Sequence, residues 1–145
     1  MHFNFNKYAQ EANTFLNKLA EALNHPEERD RVEIVLRAVL HSIRNRISVE
    51  ENLDVIAQLP MFLKAIYVEQ WHYYGEPQKI SHLKDFIDAV KEEQARFGEQ
   101  KFDWNISTEE MARRTIFLLT TEYFSMGQVA HIKNMFPQEM EVLFE

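Results

Sequence analysis

AVLHSIRNRISVEENLDVIAQLPMFLKAIY, residues 38–67, and TIFLLTTEYFSMGQVAHIKNMFPQEMEVLF, residues 115–144, decide how this chain folds. Each reads as a helix, a Ser-capped helix and a Pro-started helix that ends on an aromatic. An offset of 77 residues superposes Pro60 on Pro137 and also brings Ser48 onto Ser125. At that offset apolar residues meet apolar residues: Val39 and Ile116, Leu59 and Phe136, Leu63 and Met140, Tyr67 and Phe144. Identity is poor, and Leu36 meets Arg113 while Ile56 meets Lys133. Agreement of caps and apolar phase predicts two structurally similar helical units. It predicts no reaction.

Around these stretches the rest of the chain reads as helix. Tyr8, Ala12, Phe15, Leu16, Leu19 and Leu23 form one apolar stripe, which predicts a first helix over residues 6–23. Pro26 suits the first turn of a second helix. Val32, Val35, Leu36, Val39, Leu40, Ile43 and Ile47 form the face of that helix, with its arginines mostly off the stripe. Ser48-Val49-Glu50-Glu51 fits a capping box and opens a third helix. Pro60 starts a fourth, whose face carries Leu63, Ile66, Tyr67 and Trp71. Gly75-Glu76-Pro77 is the strongest break. A fifth helix is expected over residues 80–97, then a loop over 98–106. Ser107-Thr108-Glu109-Glu110 reads as a second capping box opening a sixth helix. Ser125 and Pro137 open the last two. The expectation is an all-α bundle of about eight helices, a single domain over 1–145 with units 1–75 and 76–145.

Composition supports this and excludes several functions. Among 145 residues there are only 3 Gly and 4 Pro, so long helices are favoured over turns. Absence of cysteine removes disulfides, thiolate catalysis and Cys-based zinc sites. The net charge of −7 disfavours nucleic-acid backbones and anionic lipid. No apolar run reaches bilayer length, and MHFNFNKYAQEA lacks the features of a secretory signal. A cytoplasmic protein is expected, with no membrane contact.

The run over residues 37–71 resembles the bacterial domain of unknown function 2267 family. The elements that carry the likeness are Ala38-Val39-Leu40, Arg44-Asn45-Arg46-Ile47, Glu50-Glu51, Ala57-Gln58-Leu59-Pro60 and Tyr67-Val68-Glu69-Gln70-Trp71. Asn52 departs from the pattern, which usually has a small Ala there. The resemblance is weaker over the second half. It implies an all-helical, repeated bundle in the cytoplasm and carries no activity with it.

The most unusual local composition is Tyr67-Val68-Glu69-Gln70-Trp71-His72-Tyr73-Tyr74. If the fourth helix continues, Tyr67, Trp71 and Tyr74 share one face. Such residues suit contact surfaces, while the plainer reading places Tyr67 and Trp71 in the core and Tyr73 and Tyr74 at a frayed helix end. Tyr67, Glu69, Trp71, His72 and Tyr74 are therefore the candidate binding residues, with Glu69 able to pair with an arginine or to orient the Trp71 indole. Glu69-x-x-His72 is half of a di-iron carboxylate signature, but no second Glu-x-x-His exists to complete it. Glu21 and His25 offer one metal edge, and no H-E-x-x-H occurs. Gly75, Gly98 and Gly127 stand alone, so no phosphate-cradling loop is present. His41 borders an apolar stripe, where a structural imidazole is the ordinary reading. Arg29, Arg31, Arg37, Arg44, Arg46, Arg113 and Arg114 form the only basic cluster, interleaved with acids. The favoured reading is a non-catalytic interaction or scaffolding module without cofactor or metal, acting on a protein partner or by self-association. The alternatives are a small-ligand or metal-dependent enzyme with a site between the two units, and a nucleic-acid regulator using the arginines.

Overall fold

In a computed structural model the described residues are 2–73, 75–98 and 103–145. Seven α-helices and a C-terminal 3-10 helix account for all regular structure among them. They are α1 (Phe5–Ala22), α2 (Arg29–Arg44), α3 (Val49–Gln58), α4 (Met61–Val68), α5 (Leu83–Arg96), α6 (Thr108–Tyr123), α7 (Met126–Asn134) and the 3-10 helix (Gln138–Phe144).

α2 is the central element and packs against α1, α4, α5 and α6. Every residue from 38 to 44 is buried. A helix covered on all sides loses its polar face. His41, Ser42 and Arg44, which a one-stripe reading leaves outside, are therefore inside. Around α2 a continuous apolar cluster draws Phe15 and Leu19 from α1, Leu63 and Tyr67 from α4, Phe86 from α5 and Ile116 from α6. Phe15 bridges two neighbours, lying 5.9 Å from Phe62 and 5.7 Å from Tyr123, centroid to centroid.

Local chemistry sets most helix ends. Ser48 Oγ accepts from Glu51 N at 3.1 Å, and Glu51 Oε1 accepts from Ser48 N at 3.0 Å, completing the expected box. Ser125 and Gln128 form a second reciprocal box. Ser107 caps α6 by accepting from Glu110 N. The Glu110 carboxylate does not return the bond; it is held by Arg113 and Arg114. Those two guanidiniums lower its pKa to about 2.

Three boundaries differ from expectation. α2 starts at Arg29 rather than at Pro26, because Pro26 occupies a turn closed by Glu28 N to His25 O at 3.1 Å. α5 starts at Leu83, where Glu139 reaches from the 3-10 helix to accept from Leu83 N at 2.9 Å. α4 stops at Val68, seven residues before the Gly75 break. Trp71 therefore lies beyond α4 rather than on its face.

At the 77-residue offset, Val39 and Ile116, Leu59 and Phe136, and Leu63 and Met140 are buried at both members. Leu40 is buried whereas Phe117 is exposed. The Pro60 segment is α-helical and the Pro137 segment is 3-10.

Candidate functional site

The end of α4 is held from outside. A helix leaves its last carbonyls without partners, and the local sequence Val68-Glu69-Gln70 offers no glycine to turn on. Three side chains of α2, spaced one helical turn apart, supply what is missing. His41 Nε2 bonds Ile66 O at 2.7 Å. Arg44 Nη1 donates to Tyr67 O at 2.9 Å and to Glu69 O at 2.8 Å. Arg37 Nε donates to the Glu69 carboxylate at 2.8 Å, with its guanidinium 4.7 Å over the ring of Phe97. Cationic donors at a helix C-terminus also oppose its negative dipole end. Burial lowers the His41 pKa to about 4, so the imidazole is neutral and donates Nε2–H to the carbonyl.

Beyond this clamp the chain turns at Glu69-Gln70, closed by Trp71 N to Val68 O at 3.1 Å. Glu69 is extended and Gln70 is left-handed at φ 55°, the pattern of a type II turn with a side chain where glycine is usual. The chain returns to α2 at Gln78, whose N–H donates to Asn45 O at 2.9 Å. Residues 69–78 thus form a loop whose two ends meet at the adjacent residues Arg44 and Asn45.

The structure divides the expected binding residues. Tyr67 is fully buried, and its hydroxyl donates to Oδ1 of Asn52; burial pushes its phenol pKa up, keeping the donor proton in place. Glu69 is the anchor of the loop. Trp71 is half-buried and His72 exposed, and both line a pocket of about 220 Å³ with Tyr73, Pro77, Arg44 and Arg96. Tyr74 lies outside the described residues. Tyr67 and Trp71 therefore do not share a surface, because the turn at Gln70 separates them.

Arg44 is only 5% exposed, and burial lowers its pKa. Glu93 of α5 is the leading opposing influence, acting through space. Glu93 is itself buried, with Oε2 lacking a hydrogen-bond partner. It lies 3.8 Å from Arg96 and also favours the charged form of Arg46.

The other arginines are largely occupied. Arg29 donates to Asn13, Arg31 pairs with Glu28 and Asp103, and Arg113 and Arg114 share Glu110.

One cluster escaped the sequence reading. Trp104 is buried, stacked on His25 with centroids 4.1 Å apart and planes 6° from parallel. Trp104 Nε1 donates to Glu28 Oε2 at 3.0 Å, and His25 Nδ1 lies 2.8 Å from the same oxygen. The available signal was a tryptophan in a polar loop, of which residues 99–102 lie outside the described ones. His25 does not join Glu21, because α1 ends at Ala22 and Asn24 is left-handed at φ 63°. His25, Glu27 and Glu28 do bring ligand-type atoms within 4.8 Å of one another, but the Glu28 carboxylate is already taken by Trp104 and Arg31.

Fold and site together describe an all-helical protein with one externally clamped aromatic loop. Residues 12–143 match the family described as "Uncharacterized conserved protein (DUF2267)", and the chain belongs to that family. No curated protein matches the chain significantly. Among the described residues no helix is long and apolar enough to cross a membrane.

Proposed function

We propose that this protein is a non-catalytic binding module whose contact surface is the loop over residues 69–78. One observation carries the reading. The loop is fixed at both ends by α2, yet it leaves Tyr73 43% exposed and His72 exposed. Aromatic side chains held on a rigid frame lose little entropy on binding, which is how contact surfaces gain affinity. The imidazoles support the same reading. His25, His82 and His131 face carboxylates and His41 faces a carbonyl, rather than a hydroxyl awaiting activation. The engaged arginines favour a protein contact over a nucleic-acid one.

Within this reading the chain is one domain of two units, and the loop follows the Pro-started helix of the first unit. Self-association and a second protein are both admissible partners. A photo-crosslinking residue placed at Tyr73 in living cells distinguishes them by mass. A discrete adduct from position 73, absent when the crosslinker replaces exposed Asn17, supports the surface; no adduct, or equal adducts from both positions, overturns it.

A further inference from the structure

We propose that the pocket behind the loop over residues 69–78 binds a carboxylate group. This rests on the same surface as the binding reading and names the chemistry it recognises. The starting point is Arg44. A buried guanidinium is costly unless a counter-charge and acceptors surround it. Acceptors are present: Tyr67 O and Glu69 O take Nη1, and Asn45 Oδ1 takes Nε at 3.1 Å. All three are neutral. Among the described residues no carboxylate bonds Arg44: the Glu69 carboxylate is spent on Arg37, and Glu93 acts only through space. The hydrogen bonds of Arg44 run through Nε and Nη1, and Nη2, which is not among the buried atoms lacking a partner, is left for solvent or a ligand on a side chain that lines the pocket.

The remaining wall suits an acid with a flat or apolar body. Arg96 lines the pocket from α5 with its guanidinium largely exposed, loosely held by Glu93 at 3.8 Å. Two guanidiniums from different helices can take the two oxygens of one carboxylate, and Arg44 is already locked by its own bonds. Trp71, Tyr73 and Pro77 add aromatic and apolar surface. Glu76 also lines the pocket and Glu93 stands 3.8 Å from Arg96, so the two guanidiniums are balanced in charge and the selectivity for a carboxylate comes from directed N–H donors rather than from net charge. The left-handed Gln70 belongs to the same wall, and such conformations gather at binding sites. At about 220 Å³ the pocket is smaller than those for drug-sized ligands. It admits a small free acid or the acidic group of a partner chain, and the recognised chemistry is the same.

Heteronuclear NMR titration of the full chain tests this with four probes: benzoate, benzamide, the peptide acetyl-Ala-Phe with a free C-terminus, and its C-terminal amide. Benzoate binding alone assigns a free acid, and peptide-acid binding assigns a chain end. In either case shifts should concentrate at the Trp71 indole and the Gln78 amide, with the acid at least about tenfold tighter than its amide. Arg96→Gln should weaken binding about threefold or more with the fold retained, and it spares Arg44, whose bonds hold the end of α4. The proposal is overturned if neither acid binds, if acid and amide bind alike, or if the shifts scatter away from the pocket. It fails separately from the contact-surface reading, because crosslinking at Tyr73 does not depend on these probes.

Discussion

The Tyr67 hydroxyl donates to Oδ1 of Asn52, and both residues are fully buried. The other end of Asn52 is equally committed. Its Nδ2 lies 2.9 Å from Arg44 O, 3.3 Å from Ile47 O and 3.0 Å from Ser48 O. One amide thus joins the end of α2, the start of α3 and the side chain of α4. A buried amide is tolerated here because its donors and its acceptor are all used. Asn52→Ala should cost about 1–3 kcal/mol by stranding the Tyr67 hydroxyl and taking the Nδ2 donor from Arg44 O and Ile47 O, whereas Ser48 O keeps the backbone N–H of residue 52. Tyr67→Phe in the same chain should recover part of that loss. Urea unfolding of the four-member cycle should give a coupling of about 0.5–3 kcal/mol, whereas simple additivity would contradict the pairing.

His41 makes stability depend on pH. Its folded pKa, about 4, lies below the ordinary histidine value of 6.5. Between those values the unfolded state binds the proton and the folded state does not. Stability contributed by the neutral imidazole is therefore present above pH 6.5 and falls as pH drops towards 4. The slope from this one group is at most about 1.4 kcal/mol per pH unit. Arg37, Arg44 and Glu69 are the charged groups that act on the imidazole. His41→Gln keeps a donor for Ile66 O and should flatten the pH dependence of unfolding between pH 4 and 6.5 relative to wild type.

Gln70 holds a left-handed conformation that costs a side chain about 1–2 kcal/mol. Gln70→Gly should therefore raise stability, by up to about 1 kcal/mol after the added entropy of the unfolded chain is subtracted. A fall in Tm for this variant would show that the turn is not strained.

The two tryptophans should behave oppositely. Trp104→Ala removes a buried indole, its stack on His25 and its bond to Glu28, and should cost about 3–5 kcal/mol. Trp71 is half-buried beyond the end of α4, so Trp71→Ala should cost about 1 kcal/mol or less. Thermal unfolding of the pair checks this ranking.

These outcomes also mark what the sequence could reveal. Ser48, Ser125 and Ser107 announce their helices because capping is local: donor and acceptor sit three residues apart. Apolar phase located the core for the same reason. The end of α4 was hidden because its caps, Arg37, His41 and Arg44, come from about thirty residues upstream, and nothing in Val68-Glu69-Gln70 signals a turn. Arg44 looked like a surface charge because helical periodicity cannot show that α2 is covered on every side. The pairing of Glu69 with an arginine was legible, since a carboxylate in an aromatic run needs a partner. The partner's identity was not. Trp104 was missed because its contacts, His25 and Glu28, belong to a distant turn.

In the proposed function, α2 fixes the loop over residues 69–78 as a contact surface. Crosslinking from position 73, compared between the wild-type background and Glu69→Ala, tests it most directly. The Arg37–Glu69 pair is partly exposed, so losing it should cost no more than about 1 kcal/mol of global stability while releasing one anchor of the loop. The predicted result is a discrete adduct from the otherwise wild-type protein that weakens severalfold in Glu69→Ala at unchanged fold. An adduct of equal strength in both backgrounds, or none in either, would contradict it.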